Sequence, residues 1–400
     1  MKISEFGVNF LLLALRINKH INGYVDFYIG PKQLSQIVDT EVTVSPNNLL
    51  TDCRILQKDL FKQGYDKKRE RYIEKLLKAM ETSIEILNGA EIPFKDKFFR
   101  LYDVVLKPVK ESELEKLKEE FEVAYGSFGS IEKRMNELRV RRTVPENKVY
   151  ELFKKALDVT RERTKEKFTN ILPKEEQIVL ELVKSSNDMK WAHYNWYTGN
   201  FCSRIEVNPK YSMYWTTFLF AAAHEGYPGH HTEFVVKEKV LYNELYQFEH
   251  AILLMHSPKL IISEGIADLA LSMLFSDREV VEISLDKFCL DPSNEDSLEQ
   301  LIAQNKIRGK ITLFWYNLAY HALIDSYSDE ELLTYGMTFE IVSKESIKNQ
   351  IKRISSPVYL NNAFTYDLGT NLIKQKYGDH PSVKDFQNLL LNPFLPSDLK

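Results

Sequence analysis

Apolar positions along the chain recur mostly at helical spacings. Ile73, Leu76, Leu77, Met80, Ile84 and Leu87 fall three, four and seven apart, so they form one stripe on a helix whose other faces carry Lys and Glu. Asn88-Gly89 then supplies a stop, since glycine ends a helix at little conformational cost. Val149, Leu152, Phe153, Ala156 and Leu157 repeat the pattern. Residues 111–142 are helical in character and strongly charged, with a break at Gly126-Ser127-Phe128-Gly129. Period-two alternation is scarce: residues 41–44 are too few to decide, and residues 203–208 are the best strand candidate. No Pro/Gly/Ser-rich linker or internal repeat divides the chain. The pattern predicts a mainly α protein with a minor β element. It forms a single helical domain over residues 1–400, or an N-terminal helical lobe over 1–145 set across a cleft from a metal-binding half over 146–400.

Composition narrows the class. Of 400 residues, 44% are hydrophobic and 28% charged, enough to build a large core and too apolar for a disordered chain. The apolar run at residues 10–15 is short for a signal peptide, no small-residue cleavage site follows it, and no stretch approaches the ~20 apolar residues of a membrane span. An amphipathic first helix is the expectation there, with no membrane partner. The net charge of −4 gives no global field toward nucleic acid. The short basic run Arg139, Arg141, Arg142 reads as a solvated helix end. Cys53, Cys202 and Cys289 lack C-x-x-C spacing and fit reduced, packed thiols of a cytoplasmic protein.

The chemistry concentrates in Ala221-Ala222-Ala223-His224-Glu225-Gly226-Tyr227-Pro228-Gly229-His230-His231, at the end of a helix expected from about Trp215. In the helical zinc motif H-E-x-x-H, residues four apart share a face and bring both imidazoles to one ion. Here the second histidine comes six or seven residues on. Six residues of unbroken helix mean a rise of ~9 Å and a rotation of ~240°, too far for two nitrogens each ~2.1 Å from one zinc. Pro228 breaks the helix, and Gly229 allows backbone angles that other residues avoid. The expectation is therefore a kink at Pro228-Gly229 that returns His230 to the metal, with His231 the competing ligand. Glu225 directly follows the first ligand, where a carboxylate sits beside the metal as general base and proton shuttle.

A third ligand is needed. Glu264, in Ser263-Glu264-Gly265-Ile266-Ala267-Asp268-Leu269-Ala270, lies in an apolar helical pattern where a buried carboxylate is costly unless paired or bound to metal. Asp268, four residues on, shares its face and could orient a ligand histidine through the other ring N–H. Gly265 should admit close approach of the helix that carries His224. Two histidines and a carboxylate suit one Zn2+ best, with iron(II), manganese and cobalt as alternatives.

The block His224-Glu225-Gly226-Tyr227-Pro228-Gly229-His230-His231 resembles the signature of the bacterial and archaeal family catalogued as domain of unknown function 885, and the Ser263–Ala270 segment resembles that family's Glu-Gly segment. Leu318-Ala319-Tyr320-His321-Ala322, Asn362-Ala363-Phe364-Thr365-Tyr366-Asp367-Leu368-Gly369 and Gly23-Tyr24-Val25-Asp26-Phe27-Tyr28-Ile29-Gly30-Pro31 are similar to further blocks of it. The resemblance implies a zincin-like helical metallopeptidase-type fold. It makes Tyr366 a candidate donor to the tetrahedral oxyanion, and His321 a candidate for the same role or for a supporting position. Asn361-Asn362 replaces the family's usual Gly-Gln, and the arginine and aspartate common before the helix histidine are absent before His321. The aromatic stretch Trp191, His193, Tyr194, Trp196, Tyr197 precedes the strand candidate, which could hold an extended peptide by backbone pairing. These readings converge on a zinc peptidase acting on a peptide or other acyl substrate. A metal-dependent amidase or esterase, or a catalytically silent metal-containing binding protein, are the competing functions.

Overall fold

The computed structural model describes residues 3–127, 130–183, 191–211, 213–291, 294–354 and 362–400, and only the backbone of residues 362, 363, 365, 366 and 367. It is mainly helical, as the 3.6-residue pattern requires. The helices are α1 (Glu5–Asn18), α2 (Lys32–Thr40), α3 (Pro46–Leu60), α4 (Lys67–Leu87), α5 (Phe94–Tyr102), α6 (Glu111–Tyr125), α7 (Ile131–Arg142), α8 (Glu146–Lys167), α9 (Phe218–Glu225), α10 (His230–Lys237), α11 (Pro258–Leu274), α12 (Asp277–Lys287), α13 (Leu298–Lys306), α14 (Ile311–Leu323), α15 (Asp329–Thr338), α16 (Lys344–Ile354), α17 (Asn362–Tyr377) and α18 (Val383–Leu391). Their ends follow local chemistry. Ser4, Ser45, Asp66 and Ser130 cap α1, α3, α4 and α7 through side-chain oxygens, and Gly89 takes φ +84° just beyond α4. Among the described residues no helix is long and apolar enough to cross a membrane.

Two apolar cores divide the molecule. The smaller is built by α1–α4 with Tyr242, Phe248, Ile252 and Leu254. The larger runs from Phe98 to Leu399 and takes in α5–α7 through Leu101, Leu117, Phe121 and Met135. The helices of the smaller core run to α4, and α5–α7 bury apolar faces in the larger one. At the centre, α9 lies between α8 and α11, and α11 crosses α17 at two glycines. A Cβ on Gly265 would meet the Gly369 carbonyl carbon at 2.4 Å, and one on Gly369 would meet Ile261 O at 2.0 Å. Gly265 thus serves approach to α17, not to the helix that carries His224.

Strands are few. β1 (Val25–Tyr28) pairs antiparallel with β5 (Ile252–Leu254), tying the N-terminal unit to the segment before α11. β2 (Gln177–Leu182), β4 (Cys202–Val207) and β3 (His193–Gly199) form a sheet in the order β2-β4-β3. β4 matches the strand expected from alternation, but it is the central strand, so both its edges are already paired. The backbone pairing with a peptide proposed for it is not available. An open edge belongs instead to β3.

Candidate metal centre

The helix–turn–helix around His224 and His230 is produced by its own sequence. α9 ends at Glu225, and α10 begins at His230 after a turn that contains a cis Tyr227–Pro228 peptide bond. The turn keeps its amides satisfied by reaching back to α9: Tyr227 N–H donates to Ala222 O at 3.2 Å and Gly229 N–H to Ala223 O at 2.9 Å. Gly229 is needed for space: its φ is −75° and its ψ −136°, and an added Cβ would lie 2.1 Å from His224 O. The kink expected at Pro228-Gly229 is present, and it sets the two imidazoles edge to face with centroids 4.8 Å apart.

Glu264, from the middle of α11, meets them. His224 Nε2 lies 3.8 Å from Glu264 Oε2, and His230 Nε2 lies 3.8 Å from Glu264 Oε1. Ligand atoms of all three residues lie within 4.8 Å of one another. Tetrahedral zinc with ligands at 2.0–2.1 Å requires separations of about 3.4 Å, so the group needs to contract by at most about 1.4 Å. Each imidazole is also held from behind. His224 Nδ1 is 3.1 Å from Asp268 Oδ1, the outer contact expected of Asp268. Ser263 spends its hydroxyl proton on Glu233 Oε2 at 2.6 Å, so it accepts from His230 Nδ1 at 3.2 Å. That bond fixes the His230 tautomer and leaves the Nε2 lone pair facing Glu264.

The electrostatics call for a cation. Burial, with Asp268 and Glu225 nearby, pushes the Glu264 carboxyl up to about 8 despite the opposing pull of His224. Glu264 Oε2 is buried and, among the described residues, accepts no hydrogen bond. Burial and the charge on His224 push His230 down to about 4, so its ring is neutral and free to donate a lone pair. The Glu264 carboxylate and the two imidazoles together could hold a metal ion. Their chemistry fits zinc.

Glu225 stands beside this group and is held by β3. Its carboxylate accepts from His193 Nδ1 at 2.6 Å, and its backbone carbonyl accepts from Asn195 Nδ2 at 2.6 Å. Burial alone would raise the Glu225 carboxyl, but the His193 bond and the histidines around it hold it down at about 2. All these residues open onto a cleft of ≈1440 Å³ that also exposes Asp26, Trp191, Tyr194 and Phe220. Tyr194 donates its hydroxyl proton to Asp26 of β1, whose carboxyl is raised by burial to about 6. His193 and Asp26 were not among the expected site residues. The available signal was period two: His193 and Asn195 lie two apart, so they share one face of a strand.

Other expected residues fall elsewhere. His231 is not a ligand. Its ring is fully buried on the opposite side, with Nδ1 2.8 Å from Ser203 Oγ and Nε2 3.0 Å from Glu176 Oε2. A one-residue step on a helix turns the side chain by ~100°, which separates the two histidines. His321 does not reach the cleft either. Its Nδ1 pairs with Asp325 Oδ2 at 2.7 Å, and its ring packs between Tyr327 and Tyr335 at 4.8 and 4.6 Å. It packs at the C-terminal end of α14. The side chain of Tyr366 lies outside the described residues.

No family model matches the chain, and no curated protein matches it. Solved structures do. One described as a "putative lipoprotein" from Colwellia psychrerythraea aligns with a TM-score of 0.52 and 12% identity over 92% of this chain and 68% of that chain. Another, described as a "putative lipoprotein of unknown function" from Shewanella oneidensis, aligns with a TM-score of 0.44 and 13% identity over 87% of this chain and 73% of that chain. At 12% identity, the first likeness concerns fold alone.

Proposed function

We propose that the protein is a zinc-dependent hydrolase of zincin-like type acting on peptides, with His224, His230 and Glu264 holding the ion. The observation that carries this reading is the buried, unpartnered Glu264 Oε2 facing two imidazoles, with an ionised carboxylate, Glu225, immediately beside them. The resemblance of the His-Glu block to domain of unknown function 885 points the same way. When bound, zinc supplies a Lewis acid for the scissile carbonyl and lowers the pKa of water in its reach. The chain's own residues do the rest. Glu225 takes the proton of the attacking water and delivers it to the leaving nitrogen. His193 and Asn195 fix its position. The unpaired edge of β3 at residues 193–195, which lines the cleft, offers backbone groups to an extended substrate. This edge and the size of the cleft favour a peptide over a small amide or ester. Three unpaired cysteines fit a reducing, cytoplasmic setting, which cell fractionation checks.

The test compares wild type with Glu225→Gln on a mixed peptide library, with bound metal measured in both. The expected result is about one zinc per chain in each, and cleavage reduced ~100-fold or more in the variant. Stoichiometric zinc without turnover on any peptide, ester or amide identifies a binding protein that keeps its metal for stability. Absence of bound metal overturns the reading.

A further inference from the structure

Behind one wall of the cleft, α6, α7 and α13 with the short turn Trp215–Thr217 enclose a second cavity of ≈190 Å³. Its apolar lining includes Phe121, Tyr125 and Trp215, yet three guanidinium groups also line it, those of Arg139, Arg142 and Arg308. The basic run at the end of α7 is thus not a solvated helix end throughout. Arg142 is only 7% exposed. Its Nε donates to Asp296 Oδ2 at 2.7 Å and its Nη1 to Gln304 Oε1 at 2.8 Å, while the buried Nη2 has no acceptor. Arg308 donates from Nη2 to Thr216 O at 2.6 Å and to Asn305 Oδ1 at 2.7 Å, and its buried Nη1 has no acceptor. Among the described residues no carboxylate forms an ion pair with Arg308, and the single carboxylate on Arg142, Asp296, is shared with Arg141 at 3.2 Å. Arg139 is exposed and donates to Asn136 Oδ1 at 3.2 Å.

Buried charges are ordinarily paired, and a buried cationic N–H without an acceptor is among the costlier defects a fold can carry. Two of them belong to side chains that line one cavity, with a single shared carboxylate in ion-pair contact among the described residues, which favours an anion there. We infer that this cavity binds a small oxyanion, a phosphate or a carboxylate group, held between the free N–H groups of Arg142 and Arg308. Guanidinium forks match both oxyanions in geometry and charge. The site is placed to report to the cleft. Arg308 lines both spaces. Its guanidinium lies 5.7 Å from the Phe220 ring, which in turn lies 5.7 Å from the His224 ring. An anion that fixes Arg308 therefore stiffens the wall against which a metal-ligand histidine packs.

The inference does not need the protein to be a peptidase, because binding is read without turnover. Titration calorimetry with inorganic phosphate, and separately with acetate, at constant ionic strength should give one saturable site per chain and a melting temperature that rises with ligand. Phosphate alone binding identifies a tetrahedral oxyanion, and equal binding of acetate identifies a carboxylate. Arg308→Gln, with its circular dichroism unchanged, should weaken binding at least tenfold, and the exposed Arg139→Gln by threefold or less. Arg308→Lys keeps the charge and should restore part of the affinity, so a folding defect in the glutamine variant does not decide the matter. Chelator-treated protein should bind as well as untreated protein. No saturable site for either anion overturns the inference. So does binding that vanishes with chelator and ignores Arg308→Gln, which would place the anion on the metal.

Discussion

His230 and His231 are adjacent and both buried, yet their rings enter different surroundings. His231 meets Glu176, which also accepts from Tyr227 at 2.6 Å and from Arg161 Nε at 2.9 Å, and its other nitrogen meets Ser203. Every polar group there has a partner, and one carboxylate is balanced by one guanidinium. His230 enters a group that is incomplete: three carboxylates, Glu225, Glu264 and Asp268, surround two imidazoles, and Glu264 Oε2 has no donor. Both histidines are buried, and both have a carboxylate as neighbour. Completeness separates them. A satisfied buried network holds a fold together, whereas the group around His230 is the one we propose holds an ion.

The comparison can be broken by experiment, and the largest effect should come from His230→Ala. Bound zinc measured by mass spectrometry should fall from about one per chain to near zero and hydrolysis should cease, while the fold stays that of metal-free wild type. Retained zinc would mean that the ligand set is wrong. Next is Gly229→Ala, whose methyl would sit 2.1 Å from His224 O. The turn must open, so zinc affinity should drop at least tenfold in a competition assay, with a loss of about 1–3 kcal/mol in denaturant unfolding from overpacking. His231→Ala reverses the pattern. It leaves a cavity and takes one of its donors from Glu176, costing about 2–5 kcal/mol in the same unfolding assay, but should leave the zinc ratio unchanged. Loss of zinc there would erase the distinction between the two histidines. The smallest effect belongs to His321→Ala, which removes stacking on Tyr327 and Tyr335 worth about 1 kcal/mol and should leave kcat/KM within about twofold.

Much of this arrangement was legible in the residues. The helical stripes of α4 and α8, the stop at Asn88-Gly89, and the break between α6 and α7 follow from spacing and local chemistry, which act over one or two turns. The kink at Pro228-Gly229 was legible too, because a straight helix could not bring His224 and His230 together. What escaped were features made by distant segments. Asp26 reaches the site on β1, whose partner strand is the distant β5 at residues 252–254, and His193 meets a carboxylate 32 residues further on. Alternation marked β4 as a strand but could not say that β2 and β3 occupy both of its edges. A basic triplet at the end of α7 looked solvated because Asp296 and Gln304, which bury Arg142, lie more than 150 residues further on.

The sequence by itself determined that the chain would be helical, that a turn would interrupt the helix after Glu225, and that His224, a second histidine and Glu264 were the residues able to share an ion. Side-chain type, helical period and the rigidity of proline are properties of short stretches, so they survive reading one residue at a time. Tertiary structure alone decided which of two adjacent histidines faces Glu264, that Gly265 makes room for α17, that His193 holds Glu225, and that His321 lies away from the cleft. Those outcomes depend on which faces pack together, and packing is settled by the whole set of apolar surfaces at once.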